Sequence, residues 1–221
     1  MPISHKFKTI FIHIPKNAGE SIEKTLGIYG LKAKDPKFKY WGILEKKIVL
    51  QHLTAQQLKS TFIKNSIWNS YFKFAIIRNP WSKAVSEYNW FLRYGPLITF
   101  KEWCQSLKYR IKINNKINIL ETGHNIEQYK FITDNDGSFL VDEVIRFEDL
   151  ANGFNNLASK RSWKVLLKHA KTTKTISKKD WRTYYCLETL EIIEKIYQKD
   201  LDLFGYNKEE TFRNFLDFDI N

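Results

Sequence analysis

The sequence predicts an α/β fold in which a central, mainly parallel sheet is flanked by helices. Three apolar segments of strand length, Lys6–Ile14, Tyr71–Ile77 and Phe139–Phe147, are separated by segments whose apolar residues recur at helical spacing. Strands that alternate with helices are typical of parallel sheets, which bind ligands where the carboxyl ends of the strands meet. We therefore expect functional residues directly after the strands.

The helices are predicted from periodicity and from their start signals. Gly19–Tyr29 has apolar residues at helical spacing, Thr54 is a cap residue for a helix through Phe62, and Pro80 opens a helix through about Leu92. Further helices are expected over Thr99–Tyr109, Leu150–Ser159 and Lys179–Asp200. Since no repeat, linker or change of composition divides the chain, we expect a single domain over residues 1–221.

Composition narrows the class of protein. Hydrophobic residues make up 43% of the chain, enough for a large core, and Lys and Arg exceed Asp and Glu by 12, which favours an anionic partner. Cys104 and Cys186 are too few for a disulfide framework or a zinc site. One bridge between them stays open, and two thiols in a reducing compartment are the simpler interpretation. Since no apolar stretch reaches the roughly 20 residues of a membrane helix, we expect a cytoplasmic protein.

The first motif is the stretch Phe11–Ser21, in which a strand, a short loop and a helix start follow one another. A helix start presents unpaired N–H groups to an anion, Lys16 adds a charge, Gly19 permits close approach of the backbone, and Ser21 adds a hydroxyl. It is not a Walker A loop, because no Gly-Lys pair occurs. The alternative is a plain strand–turn–helix with a surface lysine.

The second motif, Phe74–Tyr88, has the same architecture. Arg78 stands where the strand ends, Pro80 starts the helix, and Ser86 follows about two turns later. Arg78 and Ser86 could converge on one anion, with the guanidinium making a forked contact. Alternatively, Arg78 pairs with a carboxylate and Ser86 packs.

Together these residues resemble the sulfotransferase family, especially its carbohydrate branch. His13–Ser21 resembles the loop that binds the 5′-phosphosulfate, and Arg78–Tyr88 resembles the motif for the 3′-phosphate. Val144–Leu150 and Gln51–Leu53 resemble two further family segments. The chain departs from the family pattern at four positions, which are Asn17, Ala18, Glu20 and Lys83. A carboxylate at residue 20 is compatible with a bound anion only if it points away or caps the helix.

The resemblance implies a P-loop-like three-layer sandwich and the donor 3′-phosphoadenosine 5′-phosphosulfate (PAPS), without a metal. Its sulfuryl group would pass to a hydroxyl or amine by in-line displacement, with Lys16 stabilising the leaving group. The 5′-phosphate would be held by the loop residues Asn17, Ala18, Gly19, Glu20 and Ser21. Arg78 and Ser86 would hold the 3′-phosphate, and Phe147 would lie near adenine unless it packs in the core.

The general base is open among three residues. His52 matches the family position, His124 lies in a Gly-His-Asn loop, and Glu20 is the weakest choice because it belongs to the anion loop. The resemblance places acceptor-binding residues at Gln128 and Tyr129, and His124 could bind the acceptor instead of acting as the base. The acceptor itself is expected to be a carbohydrate or a lipid-linked sugar, acidic if the net charge serves to bind it.

Two other functions remain open on the sequence. A small-molecule kinase would share the phosphate-binding α/β plan, but its Gly-Lys-Ser/Thr loop is absent. A nucleic-acid-binding protein would use the net charge and the aromatic residues, but the positive residues are spread along the chain. We therefore expect no nucleic-acid partner.

Overall fold

The computed structural model describes residues 3–28, 43–44, 48–93, 95–107, 124–167, 179–213 and 215. The helix ends that we predicted at Tyr29 and Tyr109 lie outside these residues. Six strands are present in the described part: β1 (Ile3–Ser4), β2 (Thr9–Ile12), β3 (Ile43–Leu44), β4 (Ile48–Val49), β5 (Phe72–Ile77) and β6 (Glu143–Arg146).

Four of these strands form the central sheet, in the order β1-β2-β5-β6. The pairs β2–β5 and β5–β6 are parallel, and only the edge strand β1 is antiparallel. Strands β3 and β4 form a separate antiparallel pair. The three parallel strands therefore direct the chain to one edge of the sheet, as the sequence predicts.

Nine helices lie in the described residues: α1 (Gly19–Thr25), α2 (Ala55–Gln57), α3 (Asn65–Ser70), α4 (Pro80–Phe91), α5 (100–107), α6 (Tyr129–Ile132), α7 (Leu150–Lys160), α8 (Leu187–Phe204) and α9 (Lys208–Thr211). A π-helical turn, Leu58–Phe62, extends α2, and 3₁₀ turns cover Leu50–His52, Phe147–Asp149 and Trp181–Tyr184. None of these helices has both the length and the apolar character needed to cross a membrane.

Apolar side chains cover both faces of the sheet because successive strand residues point to opposite sides. On one face, Phe11 and Phe74 pack against α1 and α7 through residues such as Phe154. On the other, Ile10 packs among residues of α2, α6 and the π-helical turn, such as Phe131. The predicted three-layer sandwich is confirmed.

Two predicted elements have different bounds. The third strand is Glu143–Arg146, shorter than predicted, because Phe139 makes an isolated bridge to Thr133 and Phe147 begins a 3₁₀ turn. The predicted helix Lys179–Asp200 begins only at Leu187, since the preceding segment forms its own 3₁₀ turn.

The predicted cap at Thr54 and the predicted helix start at Pro80 are confirmed. Thr54 and Gln57 form a reciprocal capping box, and Pro80 is the first residue of α4. Both cysteines are free thiols: Cys104 is buried and Cys186 is exposed.

Candidate active site

The carboxyl ends of the three parallel strands bring the predicted cationic residues together. The chain leaves β2 toward Lys16, leaves β5 at Arg78, and leaves β6 at Phe147. The Arg78 guanidinium lies 4.2 Å from the centre of the Phe147 ring, and its Nη1 donates to the Lys16 carbonyl oxygen at 3.1 Å. The two predicted anion-binding motifs are therefore one continuous site.

The loop between β2 and α1 has an unusual backbone. Lys16 and Ala18 have φ angles of 68° and 59°, in the left-handed region that favours glycine. Within the described residues, the backbone N–H groups of Lys16, Ala18 and Gly19 donate to no acceptor. The loop is therefore bent so that several donors remain available at the strand end, next to the Lys16 ammonium.

Gly19 has a different structural role from the one expected. A Cβ atom at this position would lie 1.9 Å from Nε2 of His13, inside the space that the imidazole ring occupies. The absence of a side chain at residue 19 therefore makes room for His13. Close approach of the backbone to an anion remains a prediction.

A buried network fixes the relation between the two loops. Asn17 Nδ2 donates to the Ile76 carbonyl at 2.8 Å and to Gln128 Oε1 at 2.7 Å. Gln128, which is fully buried, also bonds the backbone N–H and carbonyl of Arg78. Asp200 accepts from the backbone of Gln128 at 2.7 Å, and burial raises the pKa of Asp200 to about 6.

These contacts bear on the predicted acceptor residues. The Gln128 amide is engaged with the strand ends, so the structure gives it a positioning role, and acceptor contact by Gln128 finds no support in this geometry. Tyr129 donates its backbone N–H to Asp200, and its ring lies 4.2 Å from the Lys199 ammonium. For Tyr129, acceptor binding stays a prediction.

The Lys16 ammonium has no carboxylate partner among the described residues. Among the residues that the structure describes, it makes no hydrogen bond or ion pair, and its nearest characterised contact is the Trp90 ring, with Nζ 6.0 Å from the centroid. Burial lowers the pKa of Lys16, an effect that the Glu87 charge opposes. A half-buried cation without a counterion is suited to bind an anion.

Arg78 keeps part of its hydrogen-bonding capacity. Its Nε donates to Ser82 Oγ at 2.9 Å and its Nη1 to Lys16, which leaves three of the five guanidinium N–H donors without an acceptor in the described part of the chain. Burial lowers the pKa of Arg78 to about 10, so it stays charged at neutral pH.

The two predicted serines are not bonded to these cations. Ser86 makes no hydrogen bond to Arg78 within the described residues, where Ser82 takes that position instead. Within the same residues, neither the Ser86 hydroxyl nor the Ser21 hydroxyl has a hydrogen-bond partner. As far as the structure describes the chain, both hydroxyls are therefore unengaged, and their phosphate contacts remain predictions.

Three histidines form a row beside the lysine. The ring of His52 lies between those of His13 and His124, with centroid distances of 4.8 and 5.4 Å and nearly perpendicular planes. Each outer ring is paired with a buried carboxylate: His13 Nδ1 lies 2.7 Å from Glu23, and His124 Nδ1 lies 2.6 Å from Glu87. Burial lowers the pKa of the central His52 well below its ordinary value, so this ring is neutral.

The hydrogen bonds orient the His52 ring. Its Nδ1 lies 3.3 Å from the carbonyl oxygen of His13, which can only accept, so Nδ1 carries the proton. Nε2 of His52 is thereby left as a proton acceptor. The structure thus gives His52 the tautomer that a general base needs.

The charged departures from the family pattern point away from the anion loop. Glu20 is exposed on α1 and pairs with Lys24 at 2.7 Å, as expected if a bound anion is to be tolerated. Lys83 is buried and pairs with Glu87 at 3.2 Å, so its charge is directed into the protein. Phe147 carries the Arg78 guanidinium on one ring face, and this face is not available to adenine.

The fold and the site define an α/β protein in which two cationic loops meet at the carboxyl edge of a parallel sheet, beside a row of imidazoles. The chain belongs to the sulfotransferase family, whose family model matches residues 1–207. Neither the curated proteins nor the solved structures compared with the chain include a match.

Sequence reasoning missed four residues of this site. His13 is not among the predicted catalytic or binding residues, yet its ring and carbonyl both contact His52. Glu23, Glu87 and Trp90 carried no motif signal. For Glu87 a signal was available, because Lys83 and Glu87 stand four residues apart on a predicted helix.

No group of three or more potential metal ligands with suitable geometry was found in the described residues.

Proposed function

We propose that this protein transfers the sulfuryl group of PAPS to a hydroxyl, or an amine, of a glycan-type acceptor by in-line displacement. Membership of the sulfotransferase family supports sulfuryl transfer in general. The observation that carries the donor assignment is the pair of incompletely engaged cations, Lys16 and Arg78, on loops joined by a hydrogen bond of 3.1 Å.

The donor fits this arrangement. Its two phosphate-type groups need two cationic positions, and Lys16 and Arg78 supply them at neighbouring strand ends. The backbone donors of Lys16, Ala18 and Gly19, together with the Ser21 hydroxyl, would hold the 5′-phosphate. The unused N–H groups of Arg78, with the Ser86 hydroxyl, would hold the 3′-phosphate, which ATP lacks.

The chain's own groups would carry the chemistry as follows. Lys16 would stabilise the negative charge that develops on the phosphate oxygen as the sulfur–oxygen bond breaks. An imidazole of the histidine row would accept the proton of the attacking hydroxyl. The resemblance favours His52 for this step, and its free Nε2 is compatible with it. The desolvated surroundings of both groups strengthen these interactions.

The proposal for the acceptor rests on the net charge of the protein and on the resemblance to the carbohydrate branch of the family. A net charge of +12 favours an acidic acceptor, and a carbohydrate or lipid-linked sugar in the cytoplasm would be such a partner.

Nucleotide binding tests the proposal directly. Calorimetric titration with adenosine 3′,5′-bisphosphate, AMP and ATP should show the tightest binding for the bisphosphate. Arg78→Ala should remove the preference over AMP, whereas Lys199→Ala, which removes a cation from α8 beside Tyr129, should keep it. Equal or tighter binding of ATP would overturn the sulfotransferase proposal in favour of a kinase.

A second variant tests the chemical step. Lys16→Ala should lower the turnover of PAPS at saturating donor. Transfer at the wild-type rate would remove Lys16 from the leaving-group role, even if the donor assignment stands.

A further inference from the structure

The two carboxylate-paired histidines are not equivalent in position. His13 is 5% exposed and pairs with Glu23, and a Gln51 amide also bonds that carboxylate at 3.2 Å. His124 is more accessible, and its ring stacks on Trp90 at 4.1 Å. Since Lys16 lies over the same Trp90 ring, His124 is the histidine linked to the leaving-group lysine.

His124 also has the chemistry of a proton acceptor. Its Nδ1 faces Glu87 Oε2 at 2.6 Å, and because the carboxylate can only accept, the ring donates from Nδ1, which makes Nε2 the bare nitrogen of the neutral ring. Glu87 is 2% exposed and is held from its other side by Lys83. Although burial alone would raise the pKa of Glu87, the Lys83 charge and the contact with His124 lower it to about 2, so it stays ionised.

Within the described residues, His52 has no such partner. Its polar contact is the His13 carbonyl at 3.3 Å, and its ring lies between two other imidazoles. A proton that rests on His52 would therefore be a buried positive charge without a carboxylate. A proton on His124 would be neutralised by Glu87, as a carboxylate stabilises the imidazolium of a catalytic triad.

We propose that His124 is the catalytic base that takes the acceptor proton, and that Glu87 is the positioning residue that orients His124 and stabilises its charged form. This inference rests on the proposed function. As the acceptor oxygen forms its bond to sulfur, the acceptor O–H bond breaks and its proton passes to Nε2 of His124. The bond between sulfur and the 5′-phosphate oxygen breaks with its electron pair, which stays on the phosphate beside Lys16. The proton then leaves His124 for solvent.

The test compares Glu87→Gln, His124→Gln and their combination with the wild type and with Glu188→Gln, a matched change on the surface of α8. Transfer of ³⁵S from labelled PAPS to heparosan and chondroitin oligosaccharides gives kcat and KM. Titration with adenosine 3′,5′-bisphosphate reports the donor site separately. Because Glu87 also neutralises the buried Lys83, the variant Lys83→Met/Glu87→Gln removes both charges and protects the measurement against misfolding.

We expect both single variants to lose about 10²-fold in kcat with bisphosphate affinity and donor KM within a factor of about two of wild type. The combined variant should be no slower than His124→Gln alone, because Glu87 acts through His124. Glu87→Gln activity within threefold of wild type, or losses that multiply in the combined variant, would overturn the proposal.

The tautomer of His124 can be measured without any acceptor. ¹⁵N NMR of the imidazoles, assigned with His124→Gln, should show His124 protonated at Nδ1 and bare at Nε2. A proton on Nε2 refutes the inference even if neither oligosaccharide is an acceptor. A protein that prefers ATP to the bisphosphate, by contrast, refutes the proposed function itself.

Discussion

Replacing Gly19 with alanine would force the His13 ring out of its position. The added Cβ would lie 1.9, 2.1 and 2.3 Å from three ring atoms, far inside contact distance. Because the neighbouring backbone belongs to β2 and α1, the side chain is the part that can move. Its displacement would break the 2.7 Å bond between His13 Nδ1 and the buried Glu23 carboxylate.

The free-energy cost follows from these contacts. Loss of a buried hydrogen bond to a charged group costs about 1.5–3 kcal/mol, and overpacking costs about 1–3 kcal/mol. The helix preference of alanine over glycine returns up to about 1 kcal/mol. We therefore expect Gly19→Ala to lower the free energy of unfolding by about 3 kcal/mol. For a chain of this size the melting temperature should fall by about 6–12 °C.

A double-mutant cycle in urea separates this cause from others. In a His13→Ala background the clash is absent, and Gly19→Ala should change the free energy of unfolding by less than about 0.5 kcal/mol. A cost below about 1 kcal/mol in the wild-type background, or an equal cost in both backgrounds, would refute the reasoning.

The same four proteins test the expected role of Gly19 in anion binding. If Gly19 serves only to accommodate His13, then Gly19→Ala in the His13→Ala background leaves the affinity for adenosine 3′,5′-bisphosphate unchanged. Loss of affinity in that background would support close approach of the Gly19 backbone to the anion.

Three further predictions concern single residues. Ala18→Gly should raise the free energy of unfolding by up to about 1 kcal/mol in urea titrations, because relief of the left-handed strain outweighs the added freedom of the unfolded chain; a loss of 1 kcal/mol would contradict this. Glu20→Gln should change the affinity for the bisphosphate less than about twofold, because this exposed carboxylate pairs with Lys24 on the outer face of α1. A larger gain in affinity would mean that the Glu20 charge lies in the donor site. Asp200 has a pKa of about 6 in the folded protein, against an ordinary value of 3.8 for an aspartate. At a pH between these two pKa values, Asp200 therefore takes up a proton on folding. The free energy of unfolding of the wild type, relative to Asp200→Asn, should rise as the pH falls from 6 to 4, which denaturation across that range measures. A decrease in this relative free energy would contradict the raised pKa of Asp200.

Local sequence patterns determined the location of the donor motifs. A strand followed by a bent loop and a helix start is encoded in a dozen consecutive residues, so the sequence alone places both Lys16 and Arg78 at strand ends. Helix starts at Thr54 and Pro80 were predictable for the same reason. The third strand and the start of α8 were misplaced because Phe139 forms an isolated bridge with Thr133 and Asp180 caps a 3₁₀ turn, and these contacts outweigh apolar patterning.

The histidine row, which we propose accepts the proton, is a product of tertiary structure. His13, His52 and His124 are far apart in the chain, and spacing alone does not tell which surfaces will pack together. The pairing of His124 with Glu87 depends on how the 124–128 segment packs against α4. The sequence by itself therefore determined the family, the fold class and the cationic loops, since each is local or periodic. Only the folded chain decided that His124 pairs with Glu87, because that contact joins residues separated by 37 positions.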